Sequence, residues 1–226
     1  MEVNTVTAAD ALPYLPRSTV TTFKKGQAIY DEANPNRHLH LILKGTVKVV
    51  QNTGDADVVL NLFHTDELFG ERALAGMAGD RAVAMEETTV MSWPVDAVQT
   101  VARDHPELSI ALLKRLASRS VSLQERISTL SADSAIRRLA KALLSLSKRL
   151  GEQEASAPDV WRLPPLPHLL LAQYVGTTRE AVTNMMNLFR REGLVDYTRR
   201  DVVVRTAKLQ DWMDTPGSAV DQADTA

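Results

Sequence analysis

The sequence predicts an α+β chain in three parts. A strand-rich front closes into an antiparallel barrel or sandwich, one long helix follows, and a helix-turn-helix with a β-hairpin ends the ordered chain. Three observations predict it. Short strand-like runs separated by turn signals fill residues 19–93. An apolar period of 3.5 residues runs from Pro106 to Leu130. Gly176 then parts two short helical runs, and two further strand runs close the pattern. The change of period marks each boundary.

The front comes first. Leu39-His40-Leu41-Ile42-Leu43, Thr46-Val47-Lys48-Val49-Val50 and Val58-Val59-Leu60-Asn61-Leu62-Phe63 mix alternation with short apolar stretches. Lys25-Gly26, Asn34-Pro35-Asn36, Lys44-Gly45 and Thr53-Gly54-Asp55 separate them as turns, and Val90-Met91-Ser92-Trp93 is a last strand cut off by Pro94. Strands this short and closely spaced suit an antiparallel barrel or sandwich.

The long helix is next. Leu113, Leu116, Leu123, Ile127 and Leu130 fall at spacings of 3, 7, 4 and 3, with Ser120 filling the gap. That is an a/d seam over three heptads, as two parallel helices pack. A helix packed lengthwise on its own barrel is the alternative. At ~1.5 Å rise per residue the element is about 37 Å long. Ser131-Ala132-Asp133-Ser134 brings N-cap chemistry, and a second helix runs through Ile136, Leu139, Ala140, Leu143, Leu144 and Leu146. The polar stretch from Gly151 to Pro158 reads as a loop, and Leu163-Pro164-Pro165-Leu166-Pro167 as a rigid extended segment. Residues 214–226 have little to bury and read as a disordered tail.

Composition bounds the function classes. The chain has 226 residues, 44% hydrophobic and 24% charged, and no cysteine. Disulfides, thiolate zinc sites, an iron–sulfur cluster and cysteine nucleophiles are therefore excluded. No apolar run is long enough for a membrane helix, and Met1-Glu2-Val3-Asn4 lacks a signal-peptide pattern, so a cytoplasmic protein without a membrane partner is expected. Residues 1–133 carry 13 Lys/Arg against 17 Asp/Glu, whereas 134–213 carry 13 against 8. An acidic front and a basic back suit a sensor joined to a nucleic-acid-binding module, although a bias this small also arises by chance.

The densest signal is His168-Leu169-Leu170-Leu171-Ala172-Gln173-Tyr174-Val175-Gly176-Thr177-Thr178-Arg179-Glu180 and its continuation to Val195. A short helix closed by glycine and a second helix capped by Thr178 make a helix-turn-helix. Val182, Met185, Met186 and Phe189 form the buried stripe of the second helix, which leaves Arg179, Glu180, Thr183, Asn184 and Asn187 on its outer face. Arginine grips guanine bidentately, glutamate accepts from a cytosine amine, and asparagine suits adenine. The strand runs Leu194-Val195-Asp196-Tyr197 and Val202-Val203-Val204-Arg205 form a hairpin turned at Arg199-Arg200-Asp201, a wing that can touch phosphate. In the front, Gly70 lets backbone approach a ligand, Glu71 can accept from ribose hydroxyls, and Arg81 can grip phosphate. From these residues alone, an exposed loop with an internal Glu71–Arg81 ion pair is the better reading.

The helix Thr178-Arg179-Glu180-Ala181-Val182, the following Arg190-Arg191-Glu192-Gly193-Leu194-Val195 and the strands upstream resemble the cyclic-AMP receptor protein/FNR (Crp/Fnr) family of bacterial transcription regulators, over about residues 19–206. The resemblance implies an N-terminal antiparallel β-roll of the cyclic-nucleotide-binding kind over 1–104, a dimerisation helix over 105–132 and a C-terminal winged helix-turn-helix over 133–213. It implies double-stranded DNA, a second copy of the chain and RNA polymerase as partners, and no enzymatic activity. Arg179 and Glu180 match the family's base-reading pair. Asn184 stands where a second reading arginine is usual, and His168 is a phosphate contact beside Pro167, where the family has threonine.

The stretch from Phe69 to Val83 is similar to the family's phosphate-binding cassette. Gly70, Glu71, Arg81 and the backbone amide of Ala82 would thereby hold ribose and cyclic phosphate. The effector so implied is a cyclic nucleotide, with cAMP, cGMP and cyclic di-GMP as candidates. The family's base-contacting Thr-Ser pair falls on Leu123 and Gln124, which leaves an effector-independent regulator open. A nucleotide-binding interaction module without specific DNA reading is the reading from another class. Two family glycines are Ala33 and Asp66 here, and the five histidines read as solvated or core residues in preference to a haem ligand.

Overall fold

The computed structural model describes residues 12–52, 54 and 57–215. The predicted tail from residue 216 onward, and Thr53 and Asp55 of one predicted turn, lie outside the described residues. The chain divides into two compact units, residues 1–125 and 126–226, and the division falls within the long helix.

The first unit holds β1 (Thr19–Phe23), β2 (Ala28–Tyr30), β3 (His38–Lys44), β4 (Thr46–Asn52), β5 (Asp57–His64), β6 (Leu68–Phe69), β7 (Arg81–Ala84) and β8 (Thr88–Pro94). They form two antiparallel sheets, ordered β1-β8-β3-β6 and β2-β7-β4-β5. Strand β3 shows why alternation was incomplete in the sequence: four of its residues in a row, Leu39 to Ile42, are buried. Ile42 joins Tyr30, Val49, Phe63, Phe69 and Val90 in the core between the sheets. Leu39 and Leu41 join a second core with Trp93, Val98 and Leu108. A strand buried on both faces reads as a continuous apolar run. The indole N–H of Trp93 donates to the Pro16 carbonyl at 2.6 Å, which ties the segment before β1 to β8.

Helix α1 (Val95–Asp104) was not expected, and it follows Pro94 directly. Helix α2 (Pro106–Ala132) runs 27 residues, two beyond the predicted period. Its first half lies on the roll, through Leu108 and Ala111 in the core and through Arg119, which pairs with Glu71 and covers the Phe63 ring. The predicted seam stays uncovered: Leu113 is 67% exposed and Ile127 63%, and Leu116, Leu123 and Leu130 are exposed as well. Ser120 shares that exposed row. The alternative of a helix packed lengthwise on its own barrel therefore describes the first half of α2, up to Arg119.

The second unit contains α3 (Ala135–Leu150), β9 (Glu152–Glu154), β10 (Ala157–Leu163), α4 (His168–Val175), α5 (Arg179–Arg191), β11 (Val195–Tyr197), β12 (Val202–Arg205) and α6 (Thr206–Asp214). The stretch from Gly151 to Pro158 is no simple loop. Its residues form β9 and the start of β10, in a sheet ordered β11-β12-β10-β9. Ser134 stands at the N-cap of α3, yet its hydroxyl makes no capping bond and finds no partner. Asp133 takes over the junction by accepting from Lys141 at 2.6 Å. Helix α3 packs against α4, α5 and α6, so the two helices of the predicted motif rest on one apolar platform that includes Leu139, Leu143 and Leu146.

Candidate functional site

Two constellations carry polar chemistry, one in each unit. In the second unit, α4 stops because Gly176 turns left-handed, at φ 70°, and returns its N–H to the Ala172 carbonyl at 3.0 Å. A side chain there would meet Leu130, whose Cδ2 lies 3.4 Å from where a Cβ would stand. Two residues later Thr178 caps α5, its hydroxyl accepting from the Ala181 amide at 3.1 Å. Val182, Met186 and Phe189 are buried beneath α5, and Phe189 meets the edge of Trp212 with ring centres 5.2 Å apart.

Burial of that stripe fixes which face looks outward. Arg179, Glu180, Asn184 and Asn187 are exposed and Thr183 is half-buried. Among the described residues Arg179, Glu180 and Asn184 make no side-chain hydrogen bond, so their donors and acceptors are free for a partner. Thr183 and Asn187 differ. The Thr183 hydroxyl donates to the Arg179 carbonyl at 2.9 Å and therefore accepts from His168 Nδ1, also 2.9 Å away. Asn187 Oδ1 accepts from the Tyr197 hydroxyl at 2.8 Å. His168, edge-on to the Tyr197 ring at 5.2 Å, is held below its usual pKa by burial and by Arg179.

The hairpin of β11 and β12 is braced at its tip. Thr198 and Asp201 close it through their backbones at 2.9 Å, and Arg162 pairs with both Asp201 and Glu154. The Thr198 hydroxyl and then the Arg162 guanidinium hold Asp201 below the usual carboxylate range. Arg199 and Arg200 stand exposed at this tip, and neither is tied in a salt bridge among the described residues.

The constellation of the first unit is built around the end of β6. Gly70 adopts φ 86°, and a Cβ there would lie 2.6 Å from Asn36 Nδ2 and 2.8 Å from the His38 carbonyl. Asn36 holds the glycine by donating to its carbonyl at 3.1 Å, while its own Oδ1 accepts from the His38 amide and lies 2.9 Å from His40 Nε2. Burial pushes His40 down to about 3. Its other nitrogen meets the Ser92 hydroxyl at 2.8 Å, and its ring stacks on Phe69 at 4.8 Å. This support of Gly70 escaped sequence reasoning; the pairing of polar Asn36 and His40 with an apolar strand was the available signal.

After Gly70 the chain is not a plain flexible loop. Glu71 to Ala75 make a 3-10 turn, and Arg81 opens strand β7, where Ala82 is fully buried. The ion pair expected between Glu71 and Arg81 does not form. Glu71 pairs with Arg119 of α2, and Arg81 with Asp57 at 2.5 Å. Between them Asp80, buried, accepts from the Tyr30 hydroxyl at 3.3 Å and faces Arg72 at 3.8 Å. Burial and Asp80 raise the Tyr30 phenol well above its ordinary value. A shallow cleft opens beside Glu71, walled by Leu39, Leu68 and Leu74 of the roll and by Leu112, Arg115, Leu116 and Arg119 of α2. Leu123 and Gln124 are exposed on α2 and do not line this cleft, nor does Arg81. The helix turns that do reach Glu71 lie one to two turns earlier.

Residues 20–105 match the model of the cyclic nucleotide-binding domain, and residues 137–212 that of the Crp-like helix-turn-helix domain. A global nitrogen regulator of Synechocystis is 30% identical to this chain over 192 residues, covering 82% of the chain and 84% of that protein. The chain belongs to the Crp/Fnr family. A CRP-like cAMP-activated global transcriptional regulator of Mycobacterium tuberculosis is 29% identical, with 80% of this chain and 82% of that one covered. A CRP-family transcriptional regulator from Thermus thermophilus, known from its crystal structure, superposes with a TM-score of 0.70 at 26% identity, over 84% of this chain and 95% of that one. Crp/Fnr membership makes the chain a transcription regulator, not an enzyme, with a cyclic nucleotide-binding domain in front and a DNA-binding helix-turn-helix behind.

Proposed function

We propose that this regulator works as a homodimer on a near-palindromic DNA site, with α5 reading base edges and the hairpin tip gripping phosphate. The observation that carries the reading is the uncommitted row of Arg179, Glu180 and Asn184 on a helix whose opposite face is buried. Polar side chains without internal partners are the ones a duplex can engage at no cost in broken bonds. Thr183 and Asn187 serve first to hold that row in place. The exposed leucine and isoleucine row of α2 supports the dimer, because a seam this long is not left in water by a monomer without cost. Two reading helices then address sites one duplex turn apart, roughly 34 Å. RNA polymerase is the further partner that the family implies. Selection of sites from random DNA tests the reading: a two-fold symmetric consensus is expected, and no enrichment overturns it.

For the effector, the reading is a cyclic nucleotide held by Gly70, Glu71, Arg81 and the Ala82 amide; the relative from Mycobacterium tuberculosis is named for activation by cAMP. One observation favours a second reading, an effector-independent regulator. Glu71 and Arg81 already have partners in Arg119 and Asp57, with which a nucleotide has to compete. Calorimetry with cAMP, cGMP and cyclic di-GMP separates the two. Binding that is lost in Arg81→Ala supports the first. No heat with any of them, together with full DNA affinity of the bare protein, supports the second.

A further inference from the structure

Helix α4 ends on carbonyl oxygens that have no partner within the helix, as every helix does. Here two guanidinium groups take them. Arg126 Nη2, from the last turns of α2, donates to the Tyr174 carbonyl at 2.7 Å, and its guanidinium lies over the Tyr174 ring 4.4 Å from the centroid. Arg138, from the first turn of α3, donates through Nε to the Val175 carbonyl at 2.9 Å and through Nη2 to the Gly176 carbonyl at 3.1 Å. Its third donor, Nη1, reaches the Asp133 carbonyl at 2.9 Å, at the junction where α2 has just ended. One planar fork thus spans the end of α2 and the turn of the helix-turn-helix. Leu130 closes against Gly176 from the same side.

The chemistry suits a brace better than a surface decoration. Cations at a helix C-terminus oppose the negative end of its dipole. A guanidinium presents five donors in fixed geometry, which lets one side chain hold three carbonyls. Burial pulls Arg126 below its ordinary pKa, as fits a cation packed against ring and backbone. What the brace holds is the turn Gly176-Thr177-Thr178, and Thr178 is the cap from which α5 starts.

We propose that Arg126 and Arg138 are positioning residues for DNA reading: they fix the helix-turn-helix turn to the C-terminal end of α2 and so set the pose in which Arg179 and Glu180 meet the duplex. The proposal rests on the DNA reading given above, and its test keeps the two apart. Amide hydrogen exchange of the full chain is measured beside binding to a site selected by the wild type and to random duplex. Arg126→Ala raises exchange at Gly176 and Thr177, leaves α3 protected, and weakens the selected site about tenfold, the effect of one lost bond to a charged group. Affinity for random duplex and its salt slope stay unchanged. Arg126→Lys restores both readouts, because an ammonium still serves one carbonyl and one ring. Arg138→Lys does not, because a point charge cannot hold three carbonyls. Wild-type exchange in Arg126→Ala, or equal loss on random duplex, overturns the proposal. Should the wild type select no site, the DNA reading falls, and exchange at Gly176 and Thr177 alone decides for or against the brace. The Arg126 variants carry the test should an Arg138 variant fail to fold.

Discussion

The two polar constellations differ in how their charges are occupied. On α5, Arg179, Glu180 and Asn184 face outward with no internal hydrogen bond, while neighbouring Thr183 and Asn187 are tied to His168, the Arg179 backbone and Tyr197. In the cassette the pattern is reversed: Glu71, Asp80 and Arg81 are each paired. A face whose side chains are free and whose scaffold is rigid needs little rearrangement to bind. A site whose charges are mutually neutralised must exchange partners first, and its affinity is the difference between two sets of contacts. The first design suits constant readiness and the second suits response.

Breaking the paired arrangement of reading helices has the largest expected effect. Leu116→Glu with Ile127→Glu places charge in the α2 seam; sedimentation velocity should show monomers, and affinity for a palindrome should fall about a thousandfold through loss of bivalency. The next effect concerns the support beneath the cassette. His40 has a folded pKa of about 3 against an ordinary 6.5, so the folded state binds fewer protons than the unfolded one. Its neutral form stabilises the roll fully above pH 6.5, and this is lost as pH falls from 6.5 towards 3, at ~1.4 kcal/mol per pH unit for one group. Urea titrations between pH 7 and 4 should show that slope, and His40→Gln should flatten it.

Arg179→Ala sharpens the contrast from the reading side. It should cost roughly 1–3 kcal/mol on the selected site and relax preference at one base pair. Arg199→Ala and Arg200→Ala should instead weaken all sequences alike and lower the salt slope by about one each. The smallest effect tests the cassette's self-pairing. The half-exposed Arg81–Asp57 pair is worth about 0–1 kcal/mol, so Asp57→Asn should tighten cyclic-nucleotide binding by no more than about fivefold in calorimetry. An unchanged or weaker affinity means that Asp57 does not compete for the Arg81 position.

Legibility in the sequence followed the range of the forces involved. The helix-turn-helix was readable because its determinants are local: Gly176 for a left-handed turn, Thr178 for a cap, and Val182, Met186 and Phe189 for a buried stripe. The exposed row on α2 was readable as a heptad for the same reason. Helix α1 was not, since its apolar face of Val95, Val98, Val101 and Ala102 spans only ten residues and follows directly on Pro94. Strand β10 hid because only Leu163 is buried along it, and its place is set by pairing with β12 forty residues away. The cassette's residues were found, but not their partners, because Glu71–Arg119 and Arg81–Asp57 join different elements. Asp66 shows a demand that outlives its usual residue. It keeps φ at 66°, the left-handed turn that glycine adopts without strain, at a cost that aspartate bears better than most side chains.

Trp93 gives the molecule an internal optical probe. Its indole is buried in the first unit with the N–H bound to the Pro16 carbonyl, whereas Trp161 and Trp212 are half-buried in the second. Indole emission shifts in colour with local polarity, so replacing Trp161 and Trp212 by phenylalanine leaves light from the first unit alone. Arrival of an effector among the strands can then be followed in real time, without a label and without DNA, while the reciprocal variant Trp93→Phe reports on β10 and α6 of the second unit.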